Sequence, residues 1–411
     1  MNNTVRRAAV LGLACSVMLS AACGSREIEG KDDLLQEPAQ AENLSQITQE
    51  TVSPEDTQLE VTDNIILENA AGEISHGSGY ICNDEATEKL VHRFTEPMDF
   101  SGSVLVAKDF EILYADGFGL SDGEGSDALC ADSVYAVGSI SKQFTAAAIL
   151  KLAEEGKLSL DDRLSAFFPE WPAHKDVSLY DLIHMQSGLE RDFWNIAYRE
   201  YGYTSMDQAD RFQLTPHKDA ELFNLLYADP LHYEPGSEYQ YSNLNYWLLS
   251  KVVAAASGMS YNDYLAEKFF APLDMTSAGT DYPEGIIPGH YDGEKTEENA
   301  SLYTGCGSVS ANVFDLFKWA KALHGGEVLS EESYEAMTTT GAGYYCCGLV
   351  KEGVVLWHNG QLNGYNAYMS YNTFSKVLLI VLSNSRTYSF NGEHRDLPAE
   401  QLASYLGPML K

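Results

Sequence analysis

Basic residues are scarce in this chain of 411: 26 Lys and Arg stand against 60 Asp and Glu, a formal charge of −34. That balance argues against nucleic acid as a partner, because phosphate binding needs clustered cations. It argues equally against a polybasic patch docking on anionic lipid. Neither a CxxC nor an HExxH spacing occurs, and the ten histidines are scattered, so no metal and no cofactor is expected. Beyond the first two dozen residues no apolar run reaches the roughly 18 positions of a membrane-spanning helix. Aromatic residues are missing from 24 to 79, which removes the usual material of a packed core from that stretch.

What is present at the start reads as an export signal over residues 1–22. Arg6 and Arg7 form a positive n-region, Ala8 to Ala22 an apolar stretch, and Ser20-Ala21-Ala22 a small-residue cleavage site. LSAAC at 19–23 resembles the bacterial lipoprotein cleavage box, which would make Cys23 the lipid-carrying N-terminus. Ser20 stands where the box usually has leucine, and ordinary cleavage after Ala22 is the alternative. An N-terminal lipid would be the only tie to the membrane and would place the protein on the outer face of the cytoplasmic membrane; otherwise it is secreted. Residues 23–80 read as an acidic flexible tether: from 24 to 80 there are 13 acidic and 2 basic residues, a composition that favours disorder. Such a chain has an r.m.s. span of about 40 Å. The folded body is then 81–411.

Within the body, DEATEKLVHRFTE (84–96) suits an amphipathic helix closed by Pro97. Residues 101–120 read as two strands around a Lys108-Asp109 turn. Helical patterns follow at 139–155, 177–185, 218–227, 242–256, 260–269 and 312–324. VVLWHN, NAYMSY and KVLLIVLSN are strand-like, with NTFS a turn, and LPAEQLASYLGPMLK supplies a closing helix. Strands at both ends with helices between predict an α+β fold: one antiparallel sheet built from both chain ends, flanked by helices and carrying an all-helical insert.

Three clusters carry chemistry. In VGSISKQFTAAAILKLAEEG (137–156), Lys142 follows Ser139 by three residues at the start of a helix that is apolar nearly all round. A helix of that kind is buried, and burial disfavours the charged form of a lysine. One turn from a serine on the same face, such an amine could take the hydroxyl proton. The plain alternative makes Ser139 an N-cap and lets Lys142 snorkel to water. In YEPGSEYQYSNLNYWLLSKVV (233–253), Tyr241-Ser242-Asn243 opens a helix; Tyr241 is either one of 25 tyrosines packing a core or a proton carrier. In VVLWHNGQLNGY (354–365), His358-Asn359-Gly360 is either a strand end beside an Asn-Gly turn or part of a site.

Taken together, Ser-x-x-Lys on a buried helix, Tyr-Ser-Asn about 100 residues on and His-Asn-Gly on a late strand resemble one family. It is the serine hydrolases of the penicillin-binding protein and class C β-lactamase type, which include D-alanyl-D-alanine carboxypeptidases, D-aminopeptidases and some esterases. LDDRLSAFFPEWP (160–172), VSLYDLIHMQSGL (177–189), FFAPLDMTSAGT (269–280) and SVSANVFDLFKWAKAL (308–323) look like further family stretches in family order. The resemblance implies a sheet with helices packed on an all-helical region and the site between them. It implies Ser139 as the acylated nucleophile, Lys142 as its activator and Tyr241 as proton shuttle. Asn243, His358, Gly360 and Gln361 form the substrate-binding set: Asn243 holds the substrate amide, and the Gln361 N–H joins that of Ser139 in an oxyanion hole. His358 stands where many relatives have lysine, facing Tyr241 and a substrate carboxylate.

Three departures accompany this. His358 replaces the lysine of the Lys-Thr-Gly motif, which points to the peptidase or esterase branch, with an imidazole that can titrate near neutrality. Met185 stands where relatives often have histidine, and Cys306-Gly307 where they often have paired glycines. Outside Cys15 and Cys23, five cysteines remain: Cys82, Cys130, Cys306, Cys346 and Cys347. An odd number allows at most two disulfides, and only one of Cys346 and Cys347 could reach Cys306, since neighbouring strand residues point oppositely. The expected activity is hydrolysis of a peptide or ester through an acyl-serine, with D-Ala-terminated cell-wall peptide leading. Alternatives are an esterase, a weak β-lactamase, or a surface penicillin-binding or peptide-sensing protein that does not turn over.

Overall fold

The structure, a computed structural model, describes residues 77–410 apart from 124, 125, 204, 283, 284, 298, 391 and 392. The leader, Cys23 and the tether as far as residue 76 lie outside the described residues. Residues 77–80 sit on the body: the Tyr80 hydroxyl donates to Glu88 at 2.6 Å and Ser78 bonds Asp132. The folded part therefore starts before 81.

Seven antiparallel strands form the main sheet. They are β1 (Ile81–Cys82), β2 (Gly102–Lys108), β3 (Glu111–Phe118), β4 (Val350–Glu352), β5 (Val355–Leu362), β6 (Tyr365–Asn372) and β7 (Val377–Ser383), in the spatial order β1-β3-β2-β7-β6-β5-β4. The two ends of the chain meet at the sheet's centre, where β2 pairs with β7 from Gly102↔Ser383 to Lys108↔Val377. The β2–β3 turn falls one residue later than expected, at Asp109 and Phe110, whose φ values of 52° and 59° are those of a tight two-residue hairpin. At the β6–β7 turn the Asn372 side chain accepts from the Phe374 and Ser375 N–H groups, an Asx turn that explains NTFS.

Five helices frame the sheet and the site: α1 (Glu85–Thr95), α2 (Ser141–Glu154), α3 (Asn243–Ser257), α4 (Val313–His324) and α5 (Pro398–Leu406). All seven residues of β7 are buried because both faces of the sheet are covered. Leu379 and Val381 pack with Val91 of α1 and Leu402 and Leu406 of α5; the alternate residues Leu378, Ile380 and Leu382 join the larger core on the other face. That larger core includes α2, in which Ser141 to Leu150 are all buried, with Phe144 stacked 4.1 Å from Trp319 of α4.

The insert departs from an all-helical reading. A three-stranded sheet of Tyr135–Ala136, Val309–Ala311 and Gly279–Thr280 lies within it, together with a small hairpin of His290–Tyr291 and Glu294–Lys295. Strands of two or three residues are too short to carry a periodic signal. Helices Phe193–Glu200, Met206–Leu214 and Glu331–Met337 are also additional to the expected set. Among the described residues no helix is long and apolar enough to cross a membrane.

Candidate active site

Ser139 lies in a 3-10 turn, Gly138–Ile140, that leads into α2. Two glycines let this turn touch β5. Gly138 has φ +53°, and a Cβ on it would stand 2.8 Å from the Gln361 nitrogen; a Cβ on Gly360 would stand 2.0 Å from the Val137 carbonyl oxygen. Only glycine allows such approach. The Ser139 backbone is thus held next to the Gln361 N–H. His358-Asn359-Gly360 is therefore strand interior, not a strand end, and the turn falls at Asn363-Gly364, where Gly364 has φ 113°. From the far side Glu400 of α5 accepts from the side chains of both Gln361 (2.7 Å) and Asn366 (3.0 Å), which braces the end of β5.

The Ser139 hydroxyl is no N-cap. Lys142 Nζ lies 2.9 Å from it, and the Tyr241 hydroxyl donates to it at 2.8 Å. Lys142 does not snorkel: it is 0% exposed, with Nζ 2.7 Å from Asn243 Oδ1 and 2.7 Å from the Cys306 carbonyl oxygen. Those two oxygens can only accept. An ammonium satisfies all three neighbours by donating three times. A neutral amine gives its two N–H bonds to the two fixed oxygens, and its lone pair then faces the Ser139 O–H. The geometry accommodates the proton before and after its transfer.

Tyr241 and Asn243 are held by the segment 185–192. The Gln240 N–H donates to the Met185 carbonyl (2.9 Å), the Ser242 hydroxyl to the Glu190 carbonyl (2.6 Å) and the Asn243 N–H to the Arg191 carbonyl (2.8 Å). Asn243 Nδ2 donates to Asp192 Oδ1 at 2.7 Å. The segment is itself tied down by Glu190, which takes Arg199 at 2.6 Å and Asn195 at 3.0 Å. Burial alone would raise the Glu190 carboxyl, yet the Arg191 N–H, Arg199 and Asn195 together hold it below the usual range.

Of the expected set, Ser139, Lys142, Tyr241 and Asn243 meet within one hydrogen-bonded group, while Gly360 and Gln361 touch it through the backbone. Asn243 bonds Lys142 through Oδ1 and Asp192 through one of its two Nδ2 hydrogens. His358 differs more. It is 2% exposed; Nδ1 donates to the Asn359 carbonyl at 2.6 Å, which leaves Nε2 to accept from the Tyr345 hydroxyl at 3.0 Å. Burial, with the Lys142 charge adding to it, pushes the imidazole down to about 3. It does not titrate near neutrality, and it offers a substrate carboxylate neither charge nor a free N–H. Its ring lies 6.3 Å from that of Tyr241, with Tyr345 packed edge-on to both.

The pairing that the sequence left open is not made among the described residues: Cys82, Cys130, Cys306, Cys346 and Cys347 are all free thiols. Cys306 serves through its carbonyl, and burial pushes its thiol up to about 12. Asp192, Arg191, Glu190, Arg199 and Tyr345 were absent from the sequence-based set. The only local sign was that Glu-Arg-Asp follows directly on MQSGL.

A family model described as Beta-lactamase matches residues 90–403. The chain belongs to the beta-lactamase family. This is a family of serine hydrolases that includes β-lactamases, and penicillin-binding proteins are among the chain's relatives in it. Within it the chain is 27% identical to the protein PbpX of Bacillus subtilis (strain 168) over 308 residues, 72% of this chain and 73% of that one. An octameric penicillin-binding protein homologue from Pyrococcus abyssi superposes with a TM-score of 0.64 at 26% identity, over 79% of this chain and 77% of the other. A D-amino acid amidase from Ochrobactrum anthropi SV3 shares the fold with a TM-score of 0.62 at 20% identity, over 78% and 96%.

Proposed function

We propose that this beta-lactamase-family chain is an exported hydrolase that cleaves a peptide or ester through an acyl-Ser139 intermediate. One observation carries the reading: the half-exposed Ser139 hydroxyl has a buried amine 2.9 Å away and a phenol 2.8 Å away. In acylation the Ser139 proton passes to the Lys142 lone pair as Oγ bonds the carbonyl carbon. The carbonyl oxygen gains charge between the Ser139 and Gln361 N–H groups, donors worth roughly 10²–10³ in rate each. Expulsion of the leaving group breaks its bond to that carbon, and the Tyr241 hydroxyl supplies its proton. Water then attacks the acyl carbon and its proton restores the Tyr241 hydroxyl; the bond from that carbon to Ser139 Oγ breaks, Lys142 returns its proton to Oγ, and the acid product leaves.

A D-Ala-terminated cell-wall peptide is the proposed substrate, in keeping with relatives named as penicillin-binding proteins and a D-amino acid amidase. The esterase reading draws support from the buried, uncharged His358. Lipidation at Cys23 would hold the enzyme at the outer membrane face, close to such peptide.

The test is turnover of a penicillin, an acyl-D-Ala-D-Ala peptide and a nitrophenyl ester by wild type and Ser139→Ala, with mass mapping of the adduct. Turnover is expected to vanish in the alanine variant, with the acyl group found on Ser139 in wild type. Equal hydrolysis by both proteins would remove Ser139 as nucleophile. A burst with no steady state would instead identify a non-turnover sensor.

A further inference from the structure

A substrate that ends in a free carboxylate needs a cation near the departing group, and on β5 there is none, because His358 is buried and uncharged. Arg191, on the segment that holds Tyr241 and Asn243, supplies one. Its guanidinium carbon lies 5.7 Å from the centre of the Tyr241 ring, and Tyr241 is the residue assigned to the leaving group's proton. The side chain is 45% exposed, so solvent and solute reach it. Its backbone is pinned on both sides, the N–H on Glu190 Oε1 at 2.7 Å and the carbonyl on the Asn243 N–H. Only Nε is engaged by a carboxylate, at 3.3 Å from Asp192 Oδ2. The Nη1/Nη2 edge has no hydrogen-bond partner among the described residues.

The neighbouring acids do not compete for that edge. Asp192 spends its other oxygen on Asn243, and Glu190 turns away to Arg199 and Asn195. Tyr239 stands close enough to feel the Arg191 charge, and its ring packs 5.1 Å from that of Tyr344. Arg191 therefore stands beside an aromatic pair, Tyr239 and Tyr344. A guanidinium edge matches a carboxylate with two parallel N–H···O bonds. On a chain of formal charge −34, an exposed cation at this spot is an electrostatic exception with a use.

We propose that Arg191 is the receptor for a carboxylate on the leaving-group side of the substrate and so determines specificity for acid-terminated over neutral peptides. This rests on the acyl-Ser139 reading. The experiment uses the full chain and three substrates: acyl-D-Ala-D-Ala, the same peptide with its C-terminal carboxamide, and a neutral nitrophenyl ester. Wild type, Arg191→Gln and Arg191→Lys are compared at low and at 0.5 M salt. Wild type should prefer the acid to the carboxamide, and salt should weaken that preference. Arg191→Gln should lose roughly 10- to 100-fold more kcat/KM on the acid than on the carboxamide or the ester, chiefly through KM. Arg191→Lys should retain part of the preference.

Three results overturn the receptor: equal turnover of acid and carboxamide by wild type, a preference that survives Arg191→Gln, or an equal loss on all three substrates. If wild type cleaves the ester through Ser139 but neither peptide, the receptor is overturned and the acyl-serine reading stands. If Ser139→Ala leaves every rate intact, it is the underlying reading that fails.

Discussion

An amide side chain is nearly symmetrical in shape but not in chemistry, and the site depends on which end of Asn243 meets Lys142. Asp192 decides this. Its carboxylate can only accept, so it takes the Asn243 NH2 at 2.7 Å and turns the carbonyl oxygen onto Lys142 Nζ, also at 2.7 Å. Without Asp192 a flipped amide would face the amine with its own donors. Asp192→Ala is therefore expected to lower kcat on a nitrophenyl ester about 10²-fold with little change in KM, the scale of a misplaced catalytic group. Asp192→Asn can present an amide oxygen to the same NH2 and should stay within a few-fold of wild type. Steady-state kinetics with thermal melts on both variants decide it: equal impairment of the two would make charge, not orientation, the point. Ser139 and Lys142 were legible in the sequence because they stand one turn apart at a helix start, and Tyr241 because it stands two residues before Asn243 where a helix opens. Asp192 was not, since its partner lies 51 residues away and nothing local marks an acid as a clamp. The identity of His358 was legible but its environment was not, because Tyr345 arrives from a different segment and only the fold brings its hydroxyl 3.0 Å from the ring.

At the level of elements, the strands that build the sheet announced themselves through apolar runs and turn chemistry. Asn372 and the hairpin at Asp109-Phe110 are local devices that a sequence displays directly. The short strands 135–136, 279–280 and 309–311 carry too few residues to do so; the pairing of 135–136 with 309–311 leads directly into the turn at 137–139, which is in contact with β5. That contact is tightest at Gly360, where a methyl group would sit 2.0 Å from the Val137 carbonyl oxygen. Gly360→Ala must push β5 off the Ser139 turn and carry the Gln361 N–H out of line with the developing oxyanion. Loss of one such donor costs roughly 10²–10³ in kcat, and that is the drop expected, with the far-UV spectrum of wild type retained. A folded Gly360→Ala protein with kcat within threefold of wild type would show that β5 has room to yield and that Gln361 is not a required donor.

Across the whole molecule, burial of uncharged imidazoles couples stability to pH. His324 of α4 stacks 4.3 Å from Tyr371 and bonds the Tyr334 hydroxyl at 2.8 Å, and burial pushes it down to about 3; His358 of β5 is likewise at about 3. Both are neutral when folded, whereas an unfolded histidine titrates near 6.5. As pH falls through 6.5 the unfolded chain gains protons at these two positions, and at His184, which burial also lowers, that the folded chain does not take up as readily, so acid favours unfolding, and for His324 and His358 the effect continues until they titrate near 3. The acidic composition opposes this only later. Most carboxylates keep their charge down to about pH 5, so relief of self-repulsion in a chain of −34 does not offset the histidines in that window. The two groups should together remove about 4 kcal/mol of unfolding free energy between pH 7 and pH 5, measurable by urea denaturation. His324→Gln should remove about 2 kcal/mol of the dependence, while lowering stability at pH 7 through the lost stacking on Tyr371. Equal unfolding free energies at pH 7 and pH 5 would mean that both rings take up a proton in the folded state, and His358 would then be free to carry charge at the site after all.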